Sequence, residues 1–131
     1  MKLLLDTHIW LWSVLAPQRL SPKVAAALRA PTNERWLSSV SIWELLILVE
    51  KKRIVLNQDA NPWVREVLEK IPMNEAPLTH EIALASRMVN LPHQDPADRF
   101  LAATAKVLDL TLVTADERLL QSSGFRVLAN E

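Results

Sequence analysis

The sequence predicts an α/β fold, a three-layer α/β/α sandwich in which helices cover both faces of a mostly parallel central sheet. Short apolar runs alternate along the chain with longer segments that begin at helix-capping residues. The runs at residues 3–5 and 110–113 are almost wholly apolar, which is typical of strands buried on both faces. With 131 residues, 50% of them hydrophobic, the chain predicts one domain spanning residues 1–131.

The N-terminal half predicts two strands and three helices. They are residues 2–5 (strand), 7–15 (helix), 21 to about 30 (helix), 36–38 (strand) and 41 to about 53 (helix). Pro17 stops the first helix because a proline cannot continue it. Ser21 followed by Pro22 predicts an N-cap with proline in the first helical position. Ser41 and Glu44 have the spacing of a capping box, which predicts that the third helix begins at Ser41.

The C-terminal half continues the alternation. Its elements are residues 61 to about 70 (helix), 75–78 (strand), 79 to about 90 (helix), 95–108 (helix), 111–114 (strand), 116–121 (helix) and 125–128 (strand). Pro62, Thr79 and the pair Asp95-Pro96 open the helices, since proline and small polar residues favour the first helical turn.

Composition excludes several classes of function. The absence of cysteine excludes disulfides and thiolate metal sites, and it fits a reducing, cytoplasmic location. A single glycine, Gly124, excludes glycine-rich phosphate-binding loops. Fifteen basic and fifteen acidic side chains cancel, so net charge does not steer the chain onto nucleic acid. No apolar run is long enough to span a membrane, and we expect no membrane association.

Four acidic residues are predicted to lie at one edge of the sheet. Asp6 and Asp116 follow strands, and Glu44 and Asp98 lie near the start of helices. In a parallel sheet the carboxyl ends of the strands meet at the same edge, where ligands usually bind. Four carboxylates there would repel one another, and a hard divalent cation with oxygen ligands relieves that repulsion. The pattern therefore predicts a Mg²⁺ or Mn²⁺ site.

Helix capping is the alternative interpretation of each acid taken singly. Acidic side chains at helix N-termini accept hydrogen bonds from free backbone amides and complement the helix dipole. Glu44 lies three residues after Ser41, and Asp98 lies three residues after Asp95. Capping does not require acids from four separate segments to converge, whereas a metal site does, so their convergence favours the metal site.

Four motifs resemble those of PIN-domain ribonucleases, and among these the VapC toxins of toxin–antitoxin pairs. The motifs are Leu-Leu-Leu-Asp6-Thr7-His8, Ser-Ile-Trp43-Glu44-Leu, His93-Gln-Asp95-Pro96-Ala-Asp98-Arg99 and Leu-Val-Thr114-Ala-Asp116. The resemblance covers nearly the whole chain. It implies Mg²⁺- or Mn²⁺-dependent endonucleolytic cleavage of RNA, with Asp6, Glu44, Asp98 and Asp116 as the acidic set.

The resemblance also implies roles and partners. Asp6 and Asp98 are the expected direct metal ligands, while Glu44 and Asp116 bind through water, hold a second ion or orient the attacking water. The implied partners are an RNA substrate and a VapB-like antitoxin, whose basic tail residue would enter the acidic site. The apolar helices at residues 7–15 and 41–53 also predict a homodimer, unless the monomer itself buries them.

Four further residues are candidates for substrate contacts. Thr7 and Thr114 flank the acids and can hydrogen-bond a carboxylate or a phosphate, although Thr7 can equally cap a helix. Arg99 can contact a phosphate or pair with a neighbouring acid. Asp95 is an additional acid of undefined role.

Histidine and tryptophan offer weaker signals. His8 is expected to pack among apolar neighbours, and His93 lies in a loop close to the acids. Trp10, Trp43 and Trp63 lie in amphipathic helices, where packing in the core or at an interface is expected. Stacking on single-stranded bases is the alternative for tryptophan.

Two other functions fit parts of the pattern. One is an aspartyl-nucleophile phosphatase or phosphotransfer domain, but a haloacid-dehalogenase-like site requires a second acid two residues after the first, where this chain has His8. A receiver domain requires a lysine after a late strand, and the segment from Thr114 to Asp116 contains none. A non-catalytic binding module on the PIN scaffold would be expected to lose some of the acids, but this chain keeps all four.

Overall fold

A computed structural model describes residues 1–92, 94–122 and 124–131 of the chain. Within these residues, five parallel strands form one sheet in the order β3-β2-β1-β4-β5. The strands are β1 Lys2–Leu5, β2 Glu34–Ser38, β3 Asn74–Ala76, β4 Thr111–Thr114 and β5 Arg126–Ala129. The predicted α/β class is confirmed, and the described sheet is wholly parallel. Because β1 lies between β2 and β4, the residues that follow these three strands meet at one edge.

Helices cover both faces of the sheet. They are α1 Thr7–Leu15, α2 Pro22–Arg29, α3 Ser39–Glu50, α4 Ala60–Lys70, α5 His80–Ala85, α6 Pro96–Val107 and α7 Glu117–Leu120, and a 3₁₀ turn spans Pro17–Arg19. Within β1, Leu3 and Leu5 face a core built with α1 to α4, whereas Leu4 faces a core built with α5 to α7. This alternation follows from the two-residue period of a strand and confirms the predicted three-layer sandwich.

Three of the predicted helix starts are confirmed by their hydrogen bonds. The Ser21 hydroxyl accepts from the amide of the residue three positions on at 3.2 Å, as does the Thr79 hydroxyl at 3.2 Å. Asp95 Oδ1 accepts from the amide of Asp98, also at 3.2 Å. Each side chain satisfies an amide that the first helical turn leaves without a backbone partner.

The predicted capping box at Ser41 is wrong. β2 continues to Ser38, whose hydroxyl accepts from the Val40 amide at 3.0 Å, so Ser38 is the N-cap of α3. Ser41 is buried within the helix, and its hydroxyl accepts from that of Thr7 at 3.0 Å. Glu44 therefore lies in the second helical turn, beyond the reach of a capping interaction. Helix capping therefore does not account for the position of Glu44.

Other element bounds also differ from the predictions. β2 begins at Glu34, earlier than predicted, and α3 ends at Glu50 instead of continuing to residue 53. β3 ends at Ala76 because Pro77 has no amide to donate to the sheet. α5 ends at Ala85 instead of near residue 90. Within the described residues, none of the helices has the length and apolarity needed to cross a bilayer.

Candidate active site

The carboxyl edge of the sheet carries a cavity of about 330 Å³. Its lining includes the four predicted acids together with a fifth, Asp95, and it is completed by two aromatic residues, an alanine and an arginine. The full lining is Asp6, His8, Trp12, Glu44, Asp95, Asp98, Ala115, Asp116 and Arg118. The predicted convergence of Asp6, Glu44, Asp98 and Asp116, which come from four separate segments, is therefore present in the structure.

Asp6 lies at the base of this cavity, buried directly after the central strand. Its Oδ1 accepts from the amide of Thr7 at 2.7 Å, which makes Asp6 the N-cap of α1. Its Oδ2 accepts from the hydroxyl of Thr114 at 2.7 Å. These two hydrogen bonds fix the orientation of the carboxylate. Capping and a place in the cavity are thus compatible for this acid.

Burial raises the pKa of Asp6 from 3.8 to about 6, because the charged carboxylate is largely removed from water. The hydrogen bond from Thr114 opposes this rise, and the nearby negative charge of Asp98 adds to it. His8 and the Thr7 amide oppose it more weakly. The fold therefore holds an acid where its charge is costly, which is common at functional sites.

Thr114 links two of the acids. Its hydroxyl donates to Asp6 and also accepts from the amide of Asp116 at 3.0 Å. Thr114 is fully buried at the end of β4. It therefore positions the carboxylate at the end of β1 relative to the turn that follows β4. Of the two partners expected for this hydroxyl, a carboxylate or a phosphate, the structure shows the carboxylate of Asp6.

Asp98 and Asp116 also line the cavity. Asp98 occupies the first turn of α6, and its side chain is 12% exposed. Asp116 is the N-cap of α7, and its side chain is 26% exposed. Glu44 reaches the cavity from α3, and Asp95 reaches it from the N-cap of α6. Helix capping accounts for the position of the Asp95 side chain and in part for that of Asp116, but it does not account for the position of Glu44.

Arg118 is a site residue that the sequence reasoning missed. Its guanidinium donates from Nε to Asp116 Oδ1 at 3.2 Å and from Nη2 to Asp116 Oδ2 at 2.9 Å. The same Nη2 lies 3.4 Å from Asp98 Oδ2. Arg118 therefore bridges two acids that belong to different helices. The one sequence signal for Arg118 was its position two residues after Asp116, which allows the two side chains to pair.

The donor chemistry of the cavity fits a hard divalent cation, since the acids offer oxygen ligands alone. However, among the described residues no three aspartate, glutamate or histidine side chains form a ready-made metal cluster. Mg²⁺ keeps several waters and commonly takes one or two carboxylates directly. The acids of the cavity therefore offer the kind of donor that such an ion takes.

Two predicted substrate contacts lie elsewhere. The Arg99 guanidinium is buried and donates to the carbonyls of Ser86 at 2.9 Å and Val89 at 3.2 Å, so it braces the turn after α5. The Thr7 hydroxyl is buried against Ser41. Neither side chain lines the cavity, and the prediction that these two residues contact RNA has no support in this geometry. Arg99 lies beside Asp98 in sequence but points to a different neighbour.

The aromatic residues divide into packed and exposed groups. Trp10 and Trp63 are buried and meet in a T-shaped arrangement at 6.0 Å between ring centroids, as expected of core residues. Trp43 is 50% exposed on α3. The prediction that His8 packs among apolar neighbours is wrong, since its ring is exposed at the cavity, 6.0 Å from that of Trp12. The prediction for His93 lies outside the described residues.

Comparison with known proteins agrees with this arrangement. The PIN-domain family model matches residues 3–123, and the chain therefore belongs to the PIN-domain family. Ribonuclease VapC22 of Mycobacterium tuberculosis is 34% identical over 119 residues, which is 88% of each chain. The chain is thus a relative of a VapC ribonuclease.

Solved structures share the fold at lower identity. A structure of VapBC2 from Rickettsia felis, bound to a DNA fragment from its promoter, superposes with a TM-score of 0.73 at 16% identity and covers 100% of each chain. FitAcB from Neisseria gonorrhoeae gives a TM-score of 0.65 at 23% identity over 98% of this chain and 97% of the other. At these identities the likeness concerns the fold.

Proposed function

We propose that the chain is a Mg²⁺- or Mn²⁺-dependent endoribonuclease that hydrolyses phosphodiester bonds of RNA. The observation that carries the proposal is the cavity in which Asp6, Glu44, Asp98 and Asp116 meet, although they come from four separate elements. The relationship to a protein named as a ribonuclease supports the choice of substrate.

Different residues of the cavity are suited to different roles in phosphodiester hydrolysis. Asp6 and Asp98 are the expected direct ligands, because both are largely buried and Asp6 is oriented by two hydrogen bonds. A bound Mg²⁺ or Mn²⁺ would promote ionisation of water near neutral pH and offset the charge of the phosphate. Glu44 is suited to orient the attacking water through a carboxylate oxygen. Thr114 keeps Asp6 aligned with the turn that carries Asp116.

Chelation tests this proposal. Purified chain incubated with RNA and Mn²⁺ or Mg²⁺ is expected to produce internal cuts, which sequencing of the new 5′ ends would locate. The same incubation in excess EDTA is expected to leave the RNA intact, and restoring the cation is expected to restore cleavage. Undiminished cleavage in EDTA would overturn the metal-dependent mechanism.

We further propose that the chain is the toxin of a toxin–antitoxin pair and is held by a VapB-like antitoxin. Structures that share its fold are described as VapBC and FitAB assemblies, including a VapBC complex from Salmonella typhimurium. A groove of about 680 Å³ lies beside α1 and α2, lined mostly by apolar residues such as Trp10, Val14 and Leu28 but also by Arg29 and Arg35. We assign this groove to the antitoxin tail. Co-expression with the adjacent small reading frame is expected to relieve toxicity, and failure to bind or protect would refute the pairing.

A homodimer remains part of the proposal. The monomer itself buries Ile9, Trp10 and Leu11 of α1, so the apolar content of that helix does not require a second copy. In contrast, Trp43 on α3 and Leu84 on α5 stay exposed, Leu84 at 75%. Light scattering of the isolated chain is expected to give the mass of a dimer, and a Trp43→Gln variant is expected to lower it. A monomer at high micromolar concentration would refute self-association.

A further inference from the structure

Arg118 is placed between a set of acids and the solvent. Its side chain is 55% exposed, yet its guanidinium holds both Asp116 and Asp98. The fork on Asp116 has the two-point geometry that arginine forms with carboxylates. An arginine with this exposure loses little packing when it changes partner, since much of its surface is already in water.

The charges in the cavity explain why such an arginine matters. Five carboxylates line it, from Asp6, Glu44, Asp95, Asp98 and Asp116, and among the described lining residues Arg118 is the one arginine or lysine. RNA brings a further negative charge with each phosphate. A divalent cation near the acids offsets part of this repulsion, and a guanidinium released toward the substrate offsets more.

A divalent cation and Arg118 compete for the same oxygens. The Nη2 atom of Arg118 lies 3.4 Å from Asp98 Oδ2, on an acid expected to bind the cation directly, and 2.9 Å from Asp116 Oδ2, on an acid expected to act through water or hold a second ion. A cation bound to these oxygens would lie close to the guanidinium and repel it, and the exposed arginine side chain is the group able to move away. Its base in the first turn of α7 keeps it at the mouth of the cavity.

We propose that Arg118 alternates between two partners. In the metal-free chain it holds Asp98 and Asp116, and once a divalent cation occupies the cavity it contacts a phosphate oxygen of RNA. This inference rests on the proposed nuclease function. It makes Arg118 both a competitor of the metal and a substrate-binding residue, so a single substitution affects the two ligands in opposite directions.

The first half is tested by calorimetric titration with Mn²⁺ alone. Removing the competing charge in Arg118→Gln is expected to tighten Mn²⁺ binding roughly two- to fivefold, the range for an exposed ion pair. Arg118→Lys is expected to stay near the wild type because it keeps the charge. Arg126→Gln is the matched control, since Arg126 is 61% exposed and pairs with Asp109 at 2.9 Å outside the cavity. Unchanged or weaker binding by Arg118→Gln would overturn the competition.

The second half is tested by RNA cleavage at saturating Mn²⁺. Arg118→Gln is expected to raise KM roughly tenfold with little change in kcat, as for loss of a charged hydrogen bond made equally before and during reaction. Arg118→Lys is expected to lie between, and Arg126→Gln at the wild-type value. An unchanged KM for Arg118→Gln would overturn the phosphate contact. If the wild type cleaves no RNA, the nuclease proposal fails, whereas the Mn²⁺ titration still decides whether Arg118 competes with the cation.

Discussion

Replacement of Asp6 by asparagine is expected to stabilise the metal-free protein. A pKa raised from 3.8 to about 6 corresponds to about 3 kcal/mol of unfolding free energy lost at neutral pH. Asparagine removes the charge and keeps an oxygen to accept from the Thr7 amide at the position of the 2.7 Å hydrogen bond. The donation from Thr114 is lost, which costs about 1 kcal/mol. The net expectation is a gain of about 1 to 2 kcal/mol.

The stability gained by the Asp6→Asn substitution is expected to depend on pH. Between pH 3.8 and about 6 the folded protein holds a proton on Asp6 that the unfolded chain releases, so stability contributed by this group falls as pH rises through that window. Asp6→Asn should therefore melt roughly 3 to 8 °C above the wild type at about pH 7.5. The advantage should vanish below about pH 4, where the wild-type carboxyl is protonated in both states.

Thermal denaturation in excess EDTA measures both values. The control is Asp59→Asn, because Asp59 is also the N-cap of a helix, α4, but makes no capping hydrogen bond and lies outside the cavity. It is expected to change the melting temperature little at either pH. A variant of Asp6 that melts below the wild type at about pH 7.5 would mean that the carboxylate is a structural cap and would refute the reasoning.

Three further predictions concern activity and metal binding. Glu44→Gln should lower the rate of RNA cleavage by at least tenfold and leave the melting temperature near that of the wild type. Glu50→Gln, at the end of the same helix, should change neither value. An equal loss of cleavage in both variants would contradict a role for Glu44 in the cavity. Thr114→Val should reduce cleavage and cost roughly 1 to 2 kcal/mol, with recovery in Thr114→Ser. Thr104→Val, which loses a hydroxyl bonded within α6, should lose stability alone. Mn²⁺ at a hundred times its Kd should raise wild-type stability by about 2.7 kcal/mol and raise that of Asp98→Asn far less; an equal rise would refute ligation by Asp98.

The fold was predictable because strand and helix signals alternate with few conflicts. Where the prediction failed, several signals competed within a few residues. Ser38, Ser39 and Ser41 are all chemically able to cap α3, and the spacing of Ser41 to Glu44 matched a known motif. Pairing with β3 extends β2 to Ser38, and this tertiary constraint decides where the helix begins.

The acids of the site were predictable because each lies shortly after a strand or within the first two turns of a helix at the same edge. Arg118 was not, because its role depends on its distance to Asp98, which is twenty residues away in sequence. Arg99, in contrast, was a candidate for a phosphate contact because it follows Asp98 in the sequence, but it does not line the cavity. Successive residues of a helix point about 100° apart, so the neighbour of an acid in the cavity can face the protein interior, as Arg99 does toward Ser86.

The central claim is that the acids of the cavity perform catalysis, in addition to any helix capping by the same side chains. Its most direct test measures RNA cleavage and melting temperature on the same preparation of Asp98→Asn, with Asp59→Asn and the wild type beside it. If the acids perform catalysis, Asp98→Asn is expected to be folded, with a melting temperature close to that of the wild type, but inactive in Mn²⁺. Asp59→Asn is expected to cleave RNA normally. A folded Asp98→Asn protein that cleaves RNA at the wild-type rate would contradict the claim.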